Sequence, residues 1–288
     1  MLEKGEADIA VNLPTTDFAA LQKASSFNSN TYPSIMQYYL AMNGTVSPLD
    51  DARVRQALQY TFNADKVISD IFGGNMEKMT SAVGPGYSNL YSAKTVYPYD
   101  LEKAKALLVE AGYANGLDVT VNVMGFWPND KAVLEFWQAD LAKIGVKLNI
   151  QQIDGGTWGD AWWNCTAGTT PSIGQISAMA VGADYPSAWE LLAQVYPVPR
   201  LGGGKCSVVY IDNPTIDAAF NQIASVTDTS ARKEIINSIL DAAAQDAATI
   251  WIGQAVDLVT IRDVVKGYSY NFSMGGNYVP LPLISLSK

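Results

Sequence analysis

The run from residue 117 to residue 153 constrains the fold more strongly than any other part of the sequence. Apolar side chains occupy alternate positions in residues 117–124, which is typical of a half-buried strand. Asp130 then begins a helix with a broad apolar face, Gly145 ends it, and residues 146–153 form a second strand. A strand, a helix and a strand of these lengths predict a right-handed crossover between parallel neighbours. We therefore expect an α/β fold.

The segment before this run, residues 39–72, predicts two consecutive helices. An apolar stretch ends at the turn Asn43-Gly44, and a helical spacing of apolar residues follows. Asp50 or Asp51 can cap the first helix and Asn63 the second, because short polar side chains accept hydrogen bonds from the unpaired amides of a first turn. By periodicity alone, this is a helical hairpin that any α/β protein could contain.

Similar patterns predict the other elements. Strands are expected at residues 9–13, 32–39, 176–181 and 250–255, and helices at residues 17–23, 101–111, 158–164, 189–195, 214–224 and 229–247.

Composition excludes several classes of function. The net charge is -9 with only 19 Lys and Arg residues, which argues against a nucleic-acid partner because such partners select for clustered cations. The chain has no histidine, so it cannot build a catalytic or zinc site on that residue. No apolar run approaches the length needed to cross a bilayer. We expect neither a cofactor nor a metal.

Four blocks of sequence occur in an order that points to a known family. They are YLAMN, DDARVRQAL and FNADKVI within residues 39–68, YDLEKAKALLVEAGYANGLDVTV at 99–121, QADLAKIGVKL at 138–148, and NPTIDAAFNQIASVTDTSARKEIINSILDAAAQDAATI at 213–250. In this order they resemble the peptide- and nickel-type solute-binding proteins of ABC transporters, family 5. The resemblance covers almost the whole chain and implies a type II periplasmic-binding-protein-like lobe, in which helices flank a mixed sheet.

The resemblance also implies how the chain is divided. Residues 1–42 are expected to be a remnant of lobe I that leads to the hinge, residues 43–250 to be lobe II, and residues 251–288 to cross back into lobe I. Family members are much longer, so we expect a truncated, carboxy-terminal portion of an exported protein, periplasmic or extracellular, whose missing amino terminus could carry a lipid anchor. Such a portion holds half a cleft and is expected to bind ligand weakly or not at all.

The motif Ala183-Asp184-Tyr185-Pro186 is the first candidate for ligand contact. In peptide-binding members an Asp in a similar motif receives the α-ammonium group of the ligand through a charge-assisted hydrogen bond, and Asp184 stands at that position, with Tyr185 beside it. The alternative is that Asp184 only caps the following helix.

Dipeptide binders also carry an Arg after the strand at 119–124, but here the loop has none. This departure favours longer peptides or oligosaccharides over dipeptides.

Aromatic side chains form the second candidate set, because they offer flat apolar faces to peptides and sugars. Those expected to line the cleft are Trp127, Trp163, Trp189, Trp251 and Tyr39. Core packing is the ordinary alternative for each of them. Asn43 and Trp251 are further expected to lie at the hinge, where the chain crosses between lobes.

Cys165 and Cys206 are the only cysteines of the chain. In an exported protein, the simplest interpretation is one disulfide that closes the intervening loop, and two unrelated buried thiols are the alternative.

These observations lead to a non-catalytic, substrate-binding subunit of an ABC importer that captures a peptide-like ligand between two lobes. It would deliver the ligand to the membrane permease and act as a monomer. An oligosaccharide-binding member of the same family is one alternative. A glycoside hydrolase built on paired carboxylates is another, although no suggestive pair is visible. A sensor subunit that reports ligand status to a receptor is the third.

Overall fold

The computed structural model describes residues 1–87, 96–125, 127, 129–158, 174–182, 187–196, 198–199, 205–206, 209, 211, 213–272 and 281–287. Its strands are β1 (Ile9–Val11), β2 (Phe27–Met42), β3 (Met76–Glu77), β4 (Leu117–Val123), β5 (Val146–Gln152), β6 (Ile176–Val181), β7 (Val198–Pro199), β8 (Lys205–Cys206), β9 (Thr249–Arg262), β10 (Val265–Lys266) and β11 (Ser285–Leu286). Its helices are α1 (Thr15–Leu21), α2 (Ala52–Tyr60), α3 (Ala64–Asp70), α4 (Leu101–Glu110), α5 (Asp130–Ala142), α6 (Ala188–Val195), α7 (Pro214–Ile223) and α8 (Thr229–Asp246).

Seven strands form one mixed sheet in the order β1-β9-β2-β6-β4-β5, and β3 pairs with β9 outside this path. β4 pairs in parallel with both β5 and β6, whereas β2 is antiparallel to β6 and to β9. Helix α5 connects β4 to β5, which confirms the helical connection between parallel neighbours expected from the sequence, and its right hand stays a prediction. The expected fold class, a mixed sheet flanked by helices, is also confirmed.

β2 and β9 are much longer than their sequence patterns suggested. They comprise 16 and 14 residues, and they pair with each other from Phe27 opposite Arg262 to Ala41 opposite Thr249. The ladder includes polar stretches that show no alternation, which is why periodicity missed them. The register shifts between Pro33 and Gln37, so the two strands bend at this point. The proposed division at residues 42 and 251 stays a prediction, since both strands continue past the bend.

Both faces of the central sheet are covered. On β2, Tyr38, Leu40 and Met42 enter a core cluster shared with helices α2 to α5. The intervening Tyr39 and Ala41 enter a second cluster with helices α6 to α8. A strand buried on both faces has an almost continuous apolar sequence, and this explains the run YYLAM. Among the described residues, no helix is long and apolar enough to cross a membrane.

Side-chain caps fix the helix starts that the sequence predicted. The side chains of Asp51, Asn63 and Asp100 each accept a hydrogen bond from a backbone amide in the first turn of α2, α3 and α4. Asp130 is the first residue of α5, as expected, but the preceding Asn129 makes no side-chain cap. The helix expected at 158–164 lies almost entirely outside the described residues.

Arg55 joins the helical hairpin to the end of helix α8. Its buried guanidinium donates to the carbonyl of Asp246 at 2.8 Å and to the carbonyl of Leu49 at 2.7 Å. Burial lowers the pKa of this side chain, and the nearby charges of Asp246 and Asp51 oppose that shift. A cation at the carbonyl end of a helix is favourable because the helix dipole is negative there.

We expect the substitution Arg55→Met to lower the free energy of unfolding by about 2–4 kcal/mol, because two buried carbonyls lose a charged donor. Arg53→Met is the matched control two positions away. The Arg53 side chain is half exposed and pairs with Asp51 at 2.6 Å, so its loss should lower stability clearly less than the loss of Arg55. Urea unfolding followed by circular dichroism measures both, and equal losses would contradict the assigned role of Arg55.

Candidate ligand-binding crevice

The carboxyl ends of three parallel strands meet at one edge of the sheet. β4 ends at Val123, β5 at Gln152 and β6 at Val181, and each passes directly into a loop. In open α/β sheets, ligands bind at this edge because the loops there converge from neighbouring strands. The geometry therefore makes the loops that begin at residues 124, 153 and 182 the candidate ligand-binding segments.

The crossing strands β2 and β9 extend past this edge. Gln37 of β2 pairs with Val181, the last residue of β6, so the preceding half of β2 extends beyond the carboxyl edge. That half pairs with the second half of β9, and β1 adds to the outer side of β9. We call the region between this outer unit and the ends of β4, β5 and β6 the candidate crevice. Beside it, a Cβ on Gly182 would lie 2.9 Å from Met36 Sδ, so β2 passes close to the end of β6.

Trp127 lies at this edge but is turned into the core. Its ring stacks on Tyr38 with centroids 5.2 Å apart and planes inclined by 15°, and only 3% of the residue is exposed. The indole N–H has no hydrogen-bond partner among the described residues. Burial, followed by the charge of Asp257, raises the pKa of Tyr38 to about 12. The sequence placed Trp127 correctly after β4 but could not show that the ring packs inward.

Tyr39 and Trp251 lie together on the opposite face of the sheet. Their ring centroids are 5.2 Å apart, and Tyr39 is buried, which raises the pKa of its phenol. Trp251 lines a separate cavity of about 300 Å³ beside the outer edge of β9, with Tyr97 and Tyr196 among the other lining residues. The structure therefore brings Tyr39 and Trp251 together, but on a different face from Trp127.

Asn43, the other predicted hinge residue, lies just beyond the end of β2. Its side chain accepts hydrogen bonds from the amide of Thr45 at 3.1 Å and from the hydroxyl of Thr45 at 2.7 Å. The backbone N–H of Asn43 donates to the carbonyl of Gln175. Asn43 thus anchors a turn, whereas the bend in the crossing strands lies between Pro33 and Gln37. Its role as a hinge stays a prediction.

Several predicted positions fall outside the described residues. These are Asp184, Tyr185, Trp163 and Cys165. Trp189 belongs to α6 and Cys206 to β8, but their side chains are not described. The ammonium contact, the disulfide and the roles of these aromatic residues therefore stay predictions.

Polar residues within the crossing strands were missed at the sequence level. Asp257 of β9 is buried and accepts a hydrogen bond from Asn12 Nδ2 at 3.1 Å, and its other carboxylate oxygen lies 2.8 Å from the hydroxyl of Tyr270. Gln37 and Gln254 are both fully buried on facing positions of β2 and β9. A polar residue inside an apolar run, as in SIMQYYLAM and IWIGQAVDLV, is the signal that could have identified them.

Comparison with known proteins agrees with this architecture. The model for bacterial extracellular solute-binding proteins, family 5 Middle, matches residues 1–198. The glutathione-binding protein GsiB of Escherichia coli O1:K1 is 37% identical over 156 residues, which cover 54% of this chain and 30% of that protein. The structure of HbpA2 from Haemophilus parasuis superposes with a TM-score of 0.84 at 22% identity, over 100% of this chain and 55% of that one. DppA from Helicobacter pylori, in complex with peptide STSA, gives a TM-score of 0.79 at 21% identity, over 100% and 54%.

The mixed sheet and its flanking helices define a fold of type II periplasmic-binding-protein architecture. The chain belongs to the bacterial extracellular solute-binding proteins, family 5. It spans just over half the length of the similar structures.

Ionisation of Tyr38 should make folding sensitive to alkaline pH. The folded phenol keeps its proton to about pH 12, whereas an unfolded tyrosine releases it near pH 10. The unfolded state then binds fewer protons, so stability falls as the pH rises from about 10 to 12, by about 2–3 kcal/mol for this group. Tyr38→Phe should reduce this fall in urea unfolding series, and an unchanged pH dependence would contradict the assignment. At pH 7 the phenol is neutral in both states. Its ionisation should therefore contribute nothing at pH 7 to the difference in stability between Tyr38→Phe and the wild type.

Proposed function

We propose that this chain is the larger part of the substrate-binding subunit of an ABC importer. The subunit captures a peptide-like ligand between two lobes and delivers it to a membrane permease without catalysing a reaction. The observation that carries this proposal is the extension of β2 and β9 past the carboxyl ends of the parallel strands, which delimits the candidate crevice. Ligand affinity would favour the closed arrangement of the lobes by the difference in affinity between closed and open states.

Two features support a peptide-like ligand. Among the structurally similar proteins, DppA from Helicobacter pylori holds peptide STSA and a dipeptide binding protein from Pseudoalteromonas sp. SM9913 holds Met-Leu. The motif with Asp184 and Tyr185 offers a carboxylate for the ligand ammonium, and Trp163 and Trp189 offer faces for its side chains. NikA from Staphylococcus aureus binds Ni(L-His)2, but this chain has no histidine to contribute to such a site.

An oligosaccharide is the second candidate ligand. The loop that follows β4 contains tryptophan and no arginine, so it lacks the fork that clamps a peptide carboxylate. We further propose export to the periplasm or the extracellular side, a lipid anchor in the preceding segment, a monomeric state and a disulfide between Cys165 and Cys206.

The test is calorimetric titration of the full-length protein and of this chain with peptides of two to five residues and with small oligosaccharides. We expect saturable binding of one ligand class by the full-length protein and much weaker binding by this chain alone. Micromolar or tighter binding by this chain would show that the second lobe suffices. Turnover of a glycoside would instead indicate an enzyme.

Asp184→Asn should weaken the binding of peptides with a free amino terminus by tenfold or more, because a charge-assisted hydrogen bond loses its negative partner. The same peptides with an acetylated amino terminus have no ammonium group, so they should bind the variant and the wild type alike. An equal loss for both peptide series would show that Asp184 acts only through the local structure, as a helix cap would.

A further inference from the structure

The bend in the crossing strands leaves two carbonyls of β2 to be satisfied by side chains. Between Pro33 and Gln37 the pairing with β9 is interrupted. The carbonyl of Ser34 accepts from Gln254 Nε2 at 2.7 Å, and the carbonyl of Ile35 accepts from the hydroxyl of Tyr87 at 2.6 Å. Buried carbonyls need such partners, so these side chains stabilise the bend.

Residues 82–87, which we call the glycine strap, cover this bend. The amide of Gly86 donates to Gln254 Oε1 at 2.8 Å, so both ends of the Gln254 amide are bonded. A Cβ on Gly84 or on Gly86 would lie 2.5 Å from an atom of the Gln254 amide, which no side chain tolerates without a shift. The ring of Tyr87 also contacts Phe272 edge to face at 5.0 Å. The strap therefore lies directly on the buried amide groups.

Gln37, directly opposite Gln254, has no such partners. It is 0% exposed, and neither Nε2 nor Oε1 of its amide has a hydrogen-bond partner among the described residues. Its Oε1 lies 3.2 Å from the position that a Cβ on Gly84 would take, so the amide points at the strap. A buried amide group without hydrogen-bond partners destabilises the fold, because it loses the hydrogen bonds that it makes with water in the unfolded chain.

The position of Gln37 suggests which group forms the hydrogen bonds that its amide lacks. Gln37 pairs with the last residue of β6, Val181, and therefore lies beside the carboxyl end of that strand, at the candidate crevice. A primary amide presents one acceptor and two donors, which complements the C=O and N–H of a peptide group. We propose that Gln37 is a docking point for a main-chain amide of the ligand, which the glycine strap covers in this form and uncovers on binding. This inference rests on the proposed function and assigns to it a specific residue and ligand group.

The first test uses Gln37→Met in the full-length protein. Methionine has a similar length and shape but no amide, so the variant should gain thermal stability while its affinity for peptides falls roughly tenfold or more. Gln254→Met is the contrasting variant and should lower the melting temperature, because both ends of its amide are bonded. Gln22→Met, on the exposed end of α1, should change neither quantity.

The second test identifies the ligand group. A series of peptides in which one main-chain N–H at a time is replaced by an ester oxygen should contain one member that binds the wild type weakly. Gln37→Met should bind that member and its parent peptide equally. Wild-type affinity in Gln37→Met, or an ester penalty that persists in the variant, would overturn this inference alone. A wild-type protein that binds no peptide would overturn the proposed function and this inference together.

Discussion

The pairing of β2 with β9 is the interaction on which the rest of the structure depends. The two strands lie next to each other along almost their whole lengths, and every other strand of the main sheet adds to this pair. β6 extends the sheet on one side to β4 and β5, and β1 and β3 add to β9 on the other. The ladder joins segments more than 200 positions apart in the sequence, so its formation must offset the entropy of closing a long loop.

The ladder of β2 and β9 is buried on both faces. Alternate residues of β2 enter two different core clusters, one under α2 to α5 and one under α6 to α8. The two layers of helices are also joined beyond the strand ends. Arg55 of α2 reaches the last carbonyl of α8, and Gln59 donates to the carbonyls of Ala247 and Thr249 where α8 passes into β9. The start of β9 is thus held by hydrogen bonds to the opposite layer.

The candidate crevice depends on the interruption of this pair. The register of β2 and β9 shifts at residues 34–36, beyond the end of β6, and an irregularity of this kind bends the strands. Such a bend removes backbone hydrogen bonds from buried groups, and polar side chains replace most of these hydrogen bonds. Gln254 and Tyr87 do so completely for two carbonyls, while the Gln37 amide is left without partners among the described residues. The polar residues of the crossing strands therefore lie where the fold and the ligand site meet.

The sequence by itself determined the class of fold, the parallel crossover, the starts of helices α2, α3 and α4, and the family, although it left Asp50 and Asp51 as alternative caps of α2. These features depend on short-range periodicity, on capping within one turn, and on blocks of residues in a fixed order. Only the tertiary structure decided the true lengths of β2 and β9, the place of their bend, and the inward packing of Trp127 against Tyr38. Those features depend on which distant segments pair, and Gln254 and Ser34, which form a hydrogen bond at the bend, are 220 positions apart. Periodicity carries no information about such partners, because any apolar strand can pair with any other until the whole chain excludes the alternatives.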